Sequence, residues 1–448
     1  MYQQLVHHPF MSKTAVQALS AEALVEAMVR VEVVLAEAEE ARSLLPEGTA
    51  RALEQALSHV DWDIEALAQG VVEGGNMAIP FVKQAKRALP EALREHIHRG
   101  ATSQDLVDTA LMLVLSPRLL RIDTLMRQAL TDGDALMRKH RSTPMVGRTL
   151  MQQALPVTFG VSVAHWLHGL GQAGAALSEI QRSGLFVQFG GAVGVHSGLE
   201  DTGLELMDDM ARRLGLSVPL LPWHTQRQPI LALVSALDRV AVAGEKIATD
   251  VALLTQTELG EVSEPAEDGV GGSSSMPHKR NPVACARIKR AARQIHGHAA
   301  TLYQAGAQPL ERGLGEWHAE WAPLLESVAL LEGLMESVAH LMRGLEVHPT
   351  RMAENLSLTG GAVMAEPVTR LLGTCMESSE ASQLARDAAL KAQRTRRDYA
   401  EVLFEDARVH SALTREALAR ATDPSLYLGS SLAQVDRTHD WLTPWLSQ

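Results

Sequence analysis

An all-α fold with long helices gathered into a central bundle is what this sequence predicts, on two observations. Aromatic residues make up only 4% of the 448 residues. Ala, Leu, Glu and Arg recur throughout instead, a composition of helix formers poor in the residues that fill sheets. Apolar residues also fall three and four apart over long runs, the spacing that lines one face of a helix.

Taken in chain order, the first long helix is expected over Asp105 to His140. Pro117 follows Ser116 inside it, so this helix either kinks or restarts there, with the serine able to cap the new start. The second runs over Val157 to Ser183 and the third over Ile230 to Leu259, which holds no proline and one interior glycine. A fourth follows Trp321, where Leu324, Leu325, Val328, Leu331, Met335, Val338, Met342 and Leu345 form one stripe, and ends near His348-Pro349. Shorter periodic runs with more turn signals lie on either side. They divide the chain into an N-terminal helical domain (1–104), a central helical-bundle domain (105–350) and a C-terminal helical domain (351–448).

Bulk properties exclude several classes of function. A formal net charge of -12 argues against a nucleic-acid partner, which needs a basic surface. The one basic stretch, Arg394-Thr395-Arg396-Arg397, reads as a solvated helix face. No apolar run approaches the ~20 residues that span a bilayer. The first residues lack the basic-then-apolar order of a signal peptide, so a cytoplasmic location is expected. Cys285 and Cys375 lie far apart in helical segments and read as packing residues rather than a disulfide or a zinc pair. The 18 histidines show no His-Glu-x-x-His spacing, and no glycine-rich fingerprint follows a strand, so no metal, nucleotide or flavin cofactor is expected.

The chemistry is concentrated in one loop, Gly271-Gly272-Ser273-Ser274-Ser275-Met276-Pro277-His278-Lys279-Arg280-Asn281-Pro282. Asn281 before Pro282 reads as an N-cap followed by a ring already set at the helical φ, so Lys279 and the serines are delivered near a helix N-terminus, which attracts anions. A Gly/Ser linker is the plain alternative, but a linker has no use for Met-Pro-His-Lys-Arg-Asn-Pro behind three serines. A phosphate loop would need Gly-Lys followed by Ser or Thr, which is absent.

That segment resembles the signature loop of the fumarase/aspartase superfamily. The resemblance implies an all-α three-domain fold with a central long-helix bundle. It also implies that Ser273 is the catalytic acid/base and that Lys279 and Asn281 bind a substrate carboxylate. Gly100-Ala101-Thr102-Ser103-Gln104-Asp105 resembles the family's first patch, which assigns substrate binding to Thr102 and Ser103; in isolation it reads equally well as a helix cap. Gly147 to Gly160, carrying Arg148 and Thr149 as candidate substrate contacts, resembles the second. Its lyase relatives place a catalytic histidine after the threonine or before the alanine, where this chain has Leu150 and Gln153. Neither exchanges a proton near neutral pH. Gln153 therefore stands at the second catalytic position without a histidine's chemistry, and His196 is the candidate auxiliary acid.

Further segments resemble the 3-carboxy-cis,cis-muconate cycloisomerases of that superfamily: Gln188 to Ala192, Pro222 to Arg227, Glu311-Arg312, Trp317 to Trp321 and Asp423 to Gly429. They add Gln226, Arg227 and Arg312 to the candidate substrate contacts, with Arg280 a further cation. The resemblance implies an intramolecular lyase that closes a polycarboxylate into its lactone in aromatic catabolism. It also implies a homotetramer in which Thr102, Gln153 and Ser273 meet through subunit assembly. A fumarate-releasing lyase, or a non-catalytic protein on the same scaffold, are the alternatives.

Overall fold

The computed structural model describes every residue except 1–2, 266–270, 273–275, 277 and 447–448. Its principal helices are α1 (Ala21–Glu40), α2 (Ala78–Ala88), α3 (Ser103–Lys139), α4 (Phe159–Ser183), α5 (Asp201–Leu214), α6 (Gln228–Leu254), α7 (Val283–Ala305), α8 (Glu316–Gly344) and α9 (Pro349–Ser357). Two short antiparallel pairs accompany them: β1 (Pro144–Thr149) with β2 (Gln152–Thr158), and β3 (Val262–Ser263) with β4 (Glu346–Val347).

All four expected long helices are present, with two differences at their ends. Helix α3 is a single element through Pro117, so of its two expected readings the restart drops out. Val114, Leu115 and Leu119 are buried around the proline, so tertiary packing carries the helix across the lost backbone bond. Residues 157–158 belong to β2 rather than to a helix, and the Thr158 hydroxyl accepts the Val161 N–H at 3.2 Å, capping α4 at Phe159. Helix α6 ends at Leu254, five residues before the expected Leu259. There Gly260 takes φ +60° and Glu261 N–H turns back to Leu254 O at 2.9 Å.

The chain divides into two compact units. The first comprises Met1–Met126, Gln172–Glu245 and Arg287–Ser337. Its core is filled by Leu106, Leu111 and Ile122 of α3, Ile230 and Leu237 of α6, and Leu324, Val328 and Leu331 of α8, all buried. A satellite cluster of Val33, Leu53, Leu57, Leu89 and Ile97 sits under α1. Gly333 lets the N-terminal segment cross α8, since a Cβ there would meet the Met11 carbonyl carbon and Phe10 O at 2.8 Å. Ser12, fully buried at that crossing, donates to Glu332 at 2.8 Å.

The second unit comprises Arg127–Gly171, Lys246–Ala286 and Val338–Gln448. It holds both strand pairs, and its C-terminal core packs Val368, Leu372, Ala385, Tyr399 and Leu403. Among the described residues no helix is long and apolar enough to cross a membrane.

Candidate active site

In the first unit the segments that stood out in the sequence meet in one hydrogen-bonded web centred on Asp105 and Asp108, one turn apart on α3. Asp105 is 2% exposed. Its Oδ2 accepts the N–H groups of Thr102 and Gly191, each at 2.9 Å, and its Oδ1 pairs with His224 Nε2 at 2.6 Å. The Thr102 contact is half of a capping box, so the backbone of this patch does cap α3. The Thr102 and Ser103 side chains, half-buried beside it, bond to none of the described residues.

Asp108 binds Arg227 through both oxygens, NH1 to Oδ2 at 2.8 Å and NH2 to Oδ1 at 3.2 Å, and also accepts Trp317 Nε1 at 2.9 Å. Arg227 donates on to Glu320 at 2.6 Å and lies 4.6 Å from the Trp223 ring centre. Burial would discharge this guanidinium, but two flanking carboxylates hold its pKa above the ordinary value. It is 1% exposed. Its charge neutralises two buried acids and holds the web together, a structural role beside the substrate contact expected from the sequence.

Arg312 behaves differently. It donates to Gln104 Oε1 at 3.3 Å and to Gly191 O at 3.0 Å, both neutral acceptors, and its Nε has no partner among the described residues. Burial, outweighing the pull of Asp105 and Asp108, lowers its pKa from the ordinary arginine value. A half-buried guanidinium without a bonded carboxylate is suited to receive one. Gln226, exposed, is paired by backbone to Ala307 in the same unit.

His196 sits at φ +50° behind the glycine run and its Nε2 lies 3.1 Å from Phe189 O. Only an N–H can serve a carbonyl, so this nitrogen carries the proton. Burial depresses its pKa, against the pull of Phe189 O and Asp105. Gly203 on α5 accommodates the ring, since a Cβ there would fall 2.2 Å from His196 Cβ. The neutral ring thus braces the Gln188–Ala192 turn, with its proton committed to the backbone.

Within the second unit the hairpin β1/β2 carries the second patch. Leu150 and Met151 at its tip have φ +50° and +65°, and Leu150 is 96% exposed. Both residues occupy a left-handed region that side chains avoid. Arg148 pairs with the fully buried Glu261 through two bonds of 2.9 and 2.7 Å. Asn355 donates to the same carboxylate at 2.7 Å, and Gln153 Nε2 donates to Asn355 O at 3.1 Å. The buried Gln153 Oε1 has no partner among the described residues. Arg148, expected as a substrate contact, has both of its terminal nitrogens bonded to Glu261. Thr149 is exposed near the tip.

Ser273 lies outside the described residues. Lys279 is exposed and Asn281 half-buried, with Asn281 N–H bonded to Gly271 O at 2.9 Å. Arg280 reaches Glu346 at 3.2 Å and Glu264 O at 2.9 Å, which ties it to the loop base rather than to a ligand. The start of α7 also differs from expectation. Glu264 accepts the first-turn N–H groups of Ala284 and Cys285 at 3.0 and 2.8 Å. A carboxylate of the chain itself therefore occupies the anion-attracting end assigned to Asn281.

Sequence reading passed over Glu261, Asn355, Glu32 and His98. The last stands two residues before Gly100 in the first patch, which is the signal that could have marked it. Glu32, 3% exposed on α1, accepts the His98 backbone N–H at 2.8 Å and lies 2.7 Å from its Nδ1.

The family model described as "Lyase" matches residues 6–297, and "Adenylosuccinate lyase C-terminus" matches residues 361–438. The chain belongs to the lyase family. This lyase-family chain is 39% identical over 439 residues to the 3-carboxy-cis,cis-muconate cycloisomerase of Bradyrhizobium diazoefficiens, covering 97% of each. It is 38% identical to the nitrosuccinate lyase of Streptomyces davaonensis, over 96% of this chain and 93% of that protein. The crystal structure of the 3-carboxy-cis,cis-muconate lactonizing enzyme from Pseudomonas putida superposes with a TM-score of 0.92 at 35% identity, covering 97% of this chain and 98% of that one. The fold is thus the all-α fold of the fumarase/aspartase-like lyases.

Proposed function

We propose that the chain is a cycloisomerase that closes 3-carboxy-cis,cis-muconate into 4-carboxymuconolactone, in the protocatechuate branch of aromatic degradation. The observation that carries this is the similarity to a cycloisomerase along 97% of both chains. The reaction also suits the site. One substrate carboxylate adds to the substrate's own double bond, so no enzyme nucleophile is required and correct folding of the diene supplies much of the acceleration. The addition places charge on a carbon next to another carboxylate, which must be stabilised and then protonated.

Ser273 delivers that proton, with Lys279 and Asn281 holding the adjoining carboxylate and Arg312, Thr102 and Ser103 holding the others. Gln153, a neutral amide whose oxygen has no partner among the described residues, donates or accepts a hydrogen bond without titrating. The enzyme works in the cytoplasm, without a cofactor, as a homotetramer whose active sites are shared between subunits.

The experiment follows the diene absorbance of 3-carboxy-cis,cis-muconate in chelator-treated buffer. Rapid loss is expected, and Ser273→Ala lowers kcat by roughly 10²-fold or more, the scale of a general acid/base contribution, while substrate still binds. No loss with folded protein, together with release of fumarate from adenylosuccinate, argininosuccinate or nitrosuccinate, would replace this reading with an elimination.

A further inference from the structure

A second cationic region lies in the first unit, beside the first patch. A cavity of about 750 Å³ is lined by Lys83, Lys86, Arg87, Arg94, His98 and Ser103, with apolar residues of α2 between them and, among the described residues, no acidic one on its wall. In a chain of net charge -12, a cleft with four permanent cations and no carboxylate is a local reversal of the molecule's field. Lys83, Lys86 and Arg87 fall three and four apart, on one face of α2. Like charges so placed repel one another and weaken the helix. Lys86 and Arg87, in the last turn of α2, complement the helix dipole; Lys83 beside them adds only repulsion, which a bound anion would relieve.

The back of the cleft is fixed rather than mobile. His98 is held at φ +61°, unusual for a residue with a side chain. Glu32 secures it by taking both its backbone N–H and its Nδ1–H, which leaves Nε2 as the ring nitrogen outside that pairing. Around His98 stand Glu32 of α1, Asp105 of α3 and Lys86 of α2. Burial pulls the imidazole toward the neutral form and Lys86 adds to that, but Glu32, by bond and charge, and Asp105 outweigh them and hold its pKa above the ordinary histidine value.

We propose that this cleft is the subsite for the substrate carboxylate most remote from the reacting double bond, where Lys86 and His98 Nε2–H join Ser103 as its direct contacts and Glu32 positions His98. The proposal rests on the cycloisomerase reading for the identity of the substrate, but the anion site itself is testable without it. The contact is made equally in the ground and transition states, so it acts on KM rather than on kcat.

The test combines turnover of 3-carboxy-cis,cis-muconate with calorimetric binding of an unreactive probe, propane-1,2,3-tricarboxylate, in wild type, Lys86→Ala, His98→Asn and Glu32→Gln. Lys86→Ala replaces an exposed residue and keeps the fold; unfolding curves check the other two. The expected result is a KM raised roughly tenfold, the scale of one lost charge-assisted bond, with kcat within about twofold and probe binding weakened in parallel. Glu32→Gln also removes the bond and charge that raise the His98 pKa, so the alkaline limb of kcat/KM moves to lower pH. Unchanged KM and probe affinity in Lys86→Ala and His98→Asn, in an enzyme that turns the muconate over, would overturn the subsite and leave the function standing. Probe binding lost in the variants of a protein that never turns the muconate over would reject the function and retain the subsite.

Discussion

Glu39 lies on the inner face of α1, 1% exposed, with neither carboxylate oxygen hydrogen-bonded among the described residues and the Arg99 guanidinium 4.0 Å away. Burial pushes its carboxyl up to about 7, against the pull of Arg99. The unfolded chain releases this proton near the ordinary carboxylate pKa of about 4.3. Between about pH 4 and 7 the folded state therefore holds a proton that the unfolded state has lost, and stability falls as pH rises through that window. Glu39→Gln should remove that slope. Unfolding free energies of the two proteins from urea titrations should separate progressively from pH 5 and level off above about pH 7, by up to a few kcal/mol, with the variant the more stable. A pH-independent gap would contradict this. Single residues were also where the sequence fell short: Arg148 and Arg227 were legible as cations in suggestive segments, but Glu261, Asp108 and Glu320, which pair with them, stand 113, 119 and 93 residues away. Pairing over such distances leaves no trace in local pattern.

At the level of elements, periodicity was a good guide because the long helices are stabilised by continuous apolar stripes. It failed where a local cap or turn decided the boundary: the Thr158 cap and the Gly260 turn. The β1/β2 hairpin was not legible at all. Its tip, Leu150-Met151, holds two side chains in conformations that usually demand Asn and Gly. The double substitution Leu150→Asn with Met151→Gly should stabilise the protein by about 1 kcal/mol or more, measured by urea denaturation. If the tip is shaped for function, turnover falls in the same variant. A gain in stability with full activity would mean that the strain serves nothing.

For the whole molecule, composition and apolar spacing pointed to the all-α class, and the lyase family was legible from the loop and the two patches. The web that joins Gln188–Ala192, Pro222–Arg227, Glu311-Arg312 and Trp317 was legible only as separate segments; their meeting is a property of folding. The proposed shared active site adds a dependence on concentration, since subunits that complete each other's sites lose activity when they separate. Specific activity should fall as the enzyme is diluted through its dissociation range, in step with loss of the tetramer in a sizing experiment. Full specific activity in an isolated monomer would contradict shared sites.

The Glu264 cap on α7 has one more consequence. Cys285, whose backbone N–H it holds, is 1% exposed, whereas Cys375 near the C-terminal core is exposed. A thiol reagent meets the second in the native fold but reaches the first only when the start of α7 opens. The pair makes the chain its own clock: the lag between modification of the two sulfurs measures how often the base of the signature loop lets go.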